Sequence, residues 1–259
     1  KLQENINNVV PGVGIYYKKH EEGIEIIGIL PGSSAEYSGL KVGDIVVSVD
    51  RKEIKELSVE RIDKYIRGEE GTKVILDIKR NSQLITFILE RRTVEIPTVD
   101  SKLLDKNAGY VHIKSFGNKT PELFKKKIEY LLSNDIKSLI VDLRGNPGGY
   151  TSSAYEIAGC LIGSKTVTMM KDNKGNESFY RGTSQDLLRD LPIIFITDKN
   201  TASASEILTS AVKDYDRAFV IGNKTYGKGV QQTSFILLDG SFLKVTTHEF
   251  FSPLGNKIN

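Results

Sequence analysis

The 259-residue chain carries 36 Lys and Arg against 33 Asp and Glu, a net charge of +3, with 39% hydrophobic and 27% charged residues. That balance describes a folded globular protein and excludes a disordered one. The charges are mixed and form no basic tract, so nucleic acid is not an expected partner, and no apolar run approaches the roughly 18 residues that span a bilayer.

The length suits two domains. The opening residues KLQENINNVV are polar and do not read as a signal peptide; residues 1–11 are expected to be an N-terminal segment. From Gly14 to about Arg91 the signals are short strands with one or two helices. Ile15–Lys18 and Ile24–Leu30 read as strands around a polar turn at His20–Gly23. Pro31-Gly-Ser-Ser34 opens a short helix ending at Gly39, and Asp44–Val49 is a third strand. Val59, Ile62 and Ile66 recur at helical spacing, with Gly68 as a stop. Val74–Lys79 and Leu84–Leu89 alternate around Asn81-Ser82, as a hairpin does. Residues 12–91 are therefore expected to form a compact module.

Arg92–Lys106 is polar with little periodicity and is expected to be a linker, bounded at 92–108. Residues 109–259 then alternate strand and helix, the pattern of an α/β domain. Tyr110–Ser115 is a strand, and Thr120-Pro121 starts a helix as cap and first-turn proline. Leu123, Phe124, Ile128, Leu131 and Leu132 supply its apolar face. Leu139–Leu143 is a strand leading through the loop RGNPGG into a helix to about Leu161; Cys160 lies there and is expected to be packed core. Val167–Met170, Ile193–Thr197 and Ala218–Ile221 are strands, and Ser205–Lys213 is a helix. Phe235–Leu238 and Phe242–Phe250 form a hairpin about Asp239-Gly240.

The stretch Gly222–Gly229, GNKTYGKG, fits G-x-x-x-x-G-K, most of a phosphate-binding loop. A phosphate loop also needs Ser or Thr after the Lys and a helix starting there, so that its free amides face the anion. Residue 229 is glycine, and GVQQTSFILLDGSF, from Gly229 to Phe242, reads as strand and turn. No nucleotide, metal or other cofactor is expected.

Ser203 lies in TASASEILTSAV just before a helix, where developing negative charge is favoured and backbone amides are free. Taken alone it reads first as a helix cap. The loop VDLRGNPGGY, read alone, is a plain turn; beside the serine loop it could supply one oxyanion donor from a glycine, the other coming from the residue after the serine. The three histidines, His20, His112 and His248, lie in a turn and in strands, and G-x-S-x-G is absent, so a Ser–His–Asp triad is not expected. A Ser–Lys dyad is the known variant, and Lys228 has suitable surroundings. Such a base must be neutral near pH 7, which takes burial or a positive neighbour to bring a lysine from about 10.4 to about 7–8. Gln232, four residues on, is expected to share a strand face with Lys228 and orient it.

Together these residues resemble the carboxyl-terminal processing (tail-specific) proteases, over nearly the whole chain. The family's serine loop is similar to TASASEI, its T-[FY]-G-K-G-x-x-Q motif to Thr225–Gln232, and its D-L-R-x-N-x-G-G loop to Asp142–Gly149. The resemblance implies Ser203 as nucleophile, Lys228 as general base and Gln232 as support. It implies the amides of Gly149 and Ala204 as oxyanion donors, with Gly148 a near alternative. The small module resembles the PDZ domain of these proteases: Gly12-Val-Gly-Ile15 is similar to the loop holding a substrate's terminal carboxylate, and Pro31–Asp50 to the PDZ core signature. Val13, Gly14 and Ile15 would then bind protein or peptide substrates with apolar C-termini by strand addition. The implied fold is a PDZ-like β-rich domain followed by a larger α/β peptidase core of crotonase/ClpP-like layers. The implied function is a serine endopeptidase cutting near a C-terminus in the cell envelope or outside the cytoplasm, with homo-oligomerisation among its partners. The competing reading is a non-catalytic binding or scaffold protein on the same fold. Two positions depart from the family: Gly145 stands where Asn or Asp is common, and FSPLG replaces Y-T-P-S-G.

Overall fold

The computed structural model describes residues 9–183, 186–188, 190–237 and 241–258. They divide into two compact units, residues 1–96 and 97–259. The first unit is a sheet in the order β2-β3-β4-β6-β7: β2 Ile15–His20, β3 Gly23–Ile29, β4 Ile45–Val49, β6 Lys73–Arg80 and β7 Gln83–Glu90, with the short β5 Lys52–Glu53 beside β4. β2 is an edge strand. The β6–β7 turn places Asn81 at φ 50° and Ser82 at φ 64°, the paired positive values that match the strands' twist. Helix α1, Ser34–Ser38, is capped by the Ser33 hydroxyl and stops at Gly39 in the left-handed region. Helix α2, Val59–Ile66, turns Ile62 and Ile66 inward against Ile24, Ile26, Val46, Leu76 and Ile78.

Arg92–Lys106 departs from the expected linker. Arg92–Glu95 forms β8, which pairs antiparallel with β1, Val9–Gly12, and Val99–Leu104 forms β9 in the second unit. β9 hid in the sequence because it is an edge strand: Val99 is buried, while most of its other side chains face solvent and need no apolar period.

The second unit is built on the sheet β15-β14-β11-β10-β9. β10 (Ala108–Ile113), β11 (Ser138–Asp142), β14 (Ile193–Thr197) and β15 (Phe219–Gly222) run parallel, and β9 is antiparallel at the edge. Three helices match the sequence pattern: α3 Thr120–Ser133, α4 Thr151–Ile162 and α5 Ala204–Asp214. In α3, Phe124, Ile128 and Leu131 are buried and Leu132 stays exposed. Thr120 is its first helical residue, not its cap; the hydroxyl instead accepts from Gly117 N–H at 2.8 Å and meets the Thr98 hydroxyl at 2.7 Å. These helices bury Phe124, Phe195, Ile207, Leu208 and Ala211 completely, each large side chain contributing about 2–3 kcal/mol. Cys160 packs in this core, as expected. An antiparallel sheet, β13-β12-β17-β16, completes the unit: β12 Thr166–Asp172, β13 Glu177–Arg181, β16 Val230–Ile236 and β17 Phe242–Phe251. The expected Asp239-Gly240 turn lies outside the described residues.

In the first unit, buried Asp44 takes a bidentate contact from Arg80, at 2.6 and 2.7 Å, and the Lys41 N–H at 2.8 Å. Burial pushes the Asp44 carboxyl up, but the hydrogen bonds from Arg80 and Lys41 outweigh it and hold the group below the usual carboxylate range. A carboxyl depressed by folding stabilises above its unfolded value of about 3.9, and that contribution is lost as pH falls through the folded value. We expect Asp44→Asn to lower the unfolding midpoint at pH 7, with the gap to wild type narrowing below about pH 4; thermal denaturation across pH 3–7 measures this.

Candidate active site

Three neighbouring parallel strands end on the same side of the sheet. β11 runs into the loop 143–150, β14 into 198–203, and β15 into 223–229. Open parallel sheets gather their functional groups outside such carboxyl ends. The loops that carry Gly149, Ser203 and Lys228 are therefore placed together by topology before any side chain acts.

Ser203 is the N-cap of α5 with φ 58° and ψ −116°. A non-glycine residue at positive φ costs on the order of 1–3 kcal/mol and persists only when its surroundings hold it. Here the hold is Glu206, one turn into the helix and almost completely buried. Its Oε2 accepts the Ser203 N–H at 2.7 Å and the Lys228 N–H at 2.9 Å, and its Oε1 accepts the Gly227 N–H at 2.6 Å. One buried carboxylate thus ties the serine to the Gly-Lys-Gly loop through the backbone. The Tyr226 N–H reinforces the link by donating to the Thr201 carbonyl at 2.9 Å. The Gly227 and Lys228 amides, which a phosphate loop would turn to its ligand, are spent on Glu206.

Asn146 performs the corresponding task on the other side. It is fully buried; its Nδ2 donates to the Ile113 carbonyl at 2.8 Å and its Oδ1 accepts the Gly148 N–H at 2.9 Å. Its own carbonyl accepts the Ala202 N–H at 3.0 Å and the Ser205 hydroxyl at 3.3 Å. The Thr201 hydroxyl donates to the Leu143 carbonyl at 2.8 Å. Asp198 accepts the Gly145 N–H at 3.0 Å, and hydrogen bonds led by this one hold its carboxyl below the usual range. At the root of the loop, buried Asp142 takes the Arg144 guanidinium at 2.7 Å and the Tyr110 hydroxyl at 2.7 Å. Burial works to raise its carboxyl, and the bonds from Arg144 and Tyr110 prevail, keeping it low.

These ties bring Gly148 against the serine. A Cβ built on Gly148 would lie 2.7 Å from the Ala202 carbonyl oxygen, 2.9 Å from Ser203 Cβ and 3.0 Å from the Ala204 nitrogen. Gly149 forms a parallel bridge with Phe116, whose carbonyl oxygen would stand 2.2 Å from an added Cβ. The Gly148 N–H is occupied by Asn146, whereas the Gly149 and Ala204 N–H groups meet no acceptor among the described residues. Of the two glycines, Gly149 is the one with a donor to offer.

Other expectations fare differently. Lys228 is half-buried and lies in the loop ahead of β16, and no side-chain hydrogen bond joins it to Ser203 among the described residues. Gln232 is exposed on β16 opposite Thr246, and the register shifts between Gln231 and Gln232. The expected shared strand face with Lys228 is not formed, because Lys228 precedes the strand and the shift breaks the alternation. Among the described residues no hydrogen bond joins any of the three histidines to Ser203; His112 reaches the Arg144 carbonyl at 3.3 Å. No cluster of His, Cys, Asp and Glu able to hold a metal occurs among the described residues. Glu206, Asn146 and Thr201 were missed as site residues. The S-x-x-E spacing from Ser203 to Glu206 is a capping-box signal that points to the first of them.

In the small unit, the Val13 and Gly14 carbonyls accept the Ala35 and Leu30 N–H groups, both at 2.9 Å. The Val13 and Gly14 N–H groups meet no acceptor among the described residues. A groove of about 370 Å³ runs from this loop along the edge strand β2 and beneath α2.

The close approach at Gly148 gives a stability contrast. We expect Gly148→Ala to cost about 1–3 kcal/mol, through contact with backbone and positive φ together. Gly145→Ala, also at positive φ but with open space around its Cβ, is expected to cost less. Chemical denaturation of the two variants tests the difference.

Comparison with known proteins agrees with this architecture. Residues 107–259 match the model of peptidase family S41, and residues 25–80 match a PDZ domain. A probable CtpA-like serine protease of Staphylococcus aureus (strain N315) is 34% identical over 261 residues, covering 100% of this chain and 52% of that protein. A protein of the same name from Staphylococcus haemolyticus (strain JCSC1435) is 33% identical, again over 52% of its length. The chain thus spans about half the length of the curated relatives it matches. Among solved structures, the photosystem II D1 C-terminal processing protease aligns with a TM-score of 0.57 at 27% identity, over 97% of this chain and 70% of that one. A putative S41 protease from Bacteroides fragilis shares the fold, with a TM-score of 0.59 at 15% identity over 96% of this chain and 73% of that one. A PDZ domain followed by this α/β core, with its sequence relatives, places the chain in peptidase family S41.

Proposed function

We propose that this chain is the recognition-and-cleavage part of a serine endopeptidase that acts near the C-termini of proteins outside the cytoplasm. Ser203 attacks the peptide carbonyl. Lys228, neutral when it acts, takes the serine proton and returns it to the leaving amine, and then activates water for deacylation. The Gly149 and Ala204 amides receive the oxyanion, and Gln232 supports Lys228 once substrate is bound. Residues 12–91 hold the substrate's terminus, and the unit beginning at Pro97 cuts.

The observation that carries this reading is the Glu206 clamp. A buried carboxylate spends its acceptors on the backbone N–H groups of Ser203, Gly227 and Lys228, fixing a strained serine beside a lysine loop. A solvated surface loop has no need of such an anchor. The unoccupied Gly149 and Ala204 amides supply what a tetrahedral intermediate requires. For the small unit, the support is an edge strand beside free loop amides and a groove lined by Ile15, Leu30 and Ile66. That setting suits strand addition by a chain end with an apolar last residue.

The direct test is cleavage of a peptide with a free apolar C-terminus, compared with its amidated twin. We expect the free peptide to be cut, and Ser203→Ala and Lys228→Ala each to lose at least about 10³-fold in kcat/KM while remaining folded. Cleavage at the wild-type rate by either variant refutes the dyad. Binding of the free peptide without turnover supports the scaffold reading instead.

Glu206→Gln keeps the size of the side chain but replaces one accepting oxygen with a donor. At least one of the three N–H groups is then left unpaired, at about 1–3 kcal/mol. We expect a folded protein of lower unfolding midpoint whose kcat falls more than its KM rises. Unchanged kinetics in a folded Glu206→Gln would remove the clamp from the mechanism.

A further inference from the structure

The groove of the small unit carries an ordered set of charges. The Arg91 guanidinium donates to the last carbonyls of α2, Tyr65 at 2.9 Å and Ile66 at 3.0 Å, and the adjacent Arg92 pairs with Gly12. The C-terminal end of α2 therefore lies at the Gly12–Gly14 end of the groove. Along the helix wall, starting from that loop, come Arg67, then Asp63, then Glu60, at the three- and four-residue spacing that keeps side chains on one face. The Tyr17 hydroxyl of β2 donates across the groove to Asp63 Oδ1 at 3.0 Å, and Arg67 Nε lies 2.7 Å from Asp63 Oδ2.

Strand geometry sets where an incoming chain end meets these groups. A peptide antiparallel to β2, with its carboxylate on the free Val13 and Gly14 amides, places its last residue opposite Ile15. Directly opposite residues share a face, and side chains alternate. The third residue from the end therefore stands opposite Tyr17, over Asp63. A carboxylate only accepts hydrogen bonds, and Asp63 Oδ1 has capacity beyond the Tyr17 hydroxyl. The next wall residue away from the loop, Glu60, is again acidic. Arg67 thus stands nearest the substrate's terminal carboxylate, and the two acidic residues, Asp63 and Glu60, stand beyond it.

We propose that Asp63, held in place by Tyr17 and Arg67, reads the third residue from the substrate's C-terminus and selects lysine or arginine there. This rests on the terminus-binding reading of the small unit. The long cationic side chain donates to Asp63 and lies across the Tyr17 ring, while an acidic residue at the same place faces two carboxylates and has nothing to donate.

The test uses the whole chain carrying Ser203→Ala, so that bound peptide is not consumed. Fluorescence anisotropy is measured with three labelled peptides identical except for Lys, Gln or Glu at the third position from an apolar C-terminus, each also made as the amide. We expect the Lys peptide to bind about fivefold more tightly than the Glu peptide, with Gln between them, and the gap to shrink in high salt. Adding Asp63→Asn, nearly the same shape, is expected to bring the Lys-to-Glu ratio towards one. Equal affinity of the three free peptides, with the amides weaker, overturns the role of Asp63 and leaves terminus recognition standing. A Lys preference that survives Asp63→Asn overturns it too. Amides that bind as well as the free peptides remove terminus recognition, and this proposal with it.

Discussion

The site depends on one buried carboxylate. Glu206 belongs to the first turn of α5, yet two of its three backbone partners, Gly227 and Lys228, come from a loop about twenty residues further on. A helix start normally leaves its first N–H groups to water or to a local cap. Here the cap is shared, so the residue that begins the helix also fixes the loop that supplies the lysine. Ser203 can keep a backbone conformation that few side chains adopt because the Glu206 bond to its N–H, the helix behind it and the Asn146 ties beside it all constrain it. Removing one acceptor affects the serine and the lysine together.

The sheet makes that sharing possible. Parallel strands send their carboxyl ends the same way, so β11, β14 and β15 deliver three loops to one edge without long-range side-chain recognition. Side chains then set the distances. Asn146 uses both ends of its amide and its own carbonyl to draw the glycine loop against the serine loop. Glycine is required at 148 because the approach leaves no room for a Cβ. Since Asn146 occupies the Gly148 amide, the adjacent Gly149 amide is the one left without an acceptor among the described residues.

Much of this was legible in the sequence, for identifiable reasons. Glycine pairs, a serine before an amphipathic helix and a Gly-Lys-Gly loop after a strand are local signals, and each marked a loop at a strand end. The helix α3 announced itself through apolar spacing, and its Phe124, Ile128 and Leu131 are the residues the core uses. What escaped was either exposed or non-local. β13 exposes every side chain and carries no apolar alternation. β9 hid for a related reason. Glu206 showed half of its role as a capping-box partner, while its bonds to Gly227 and Lys228 depend on tertiary placement. The expectation for Gln232 assumed a strand that already included Lys228 and an unbroken register; the strand begins at Val230, and the register shifts at Gln231.

The central claim is that Ser203 is a nucleophile made competent by the Glu206 clamp. It is tested most directly by treating the folded chain with a serine-reactive aryl phosphonate and mapping the adduct by mass spectrometry, for the wild type and for Glu206→Ala. The account requires modification at Ser203, and a modification rate in a folded Glu206→Ala at least about tenfold slower. Labelling at another serine, or equal rates in the two proteins, would contradict it.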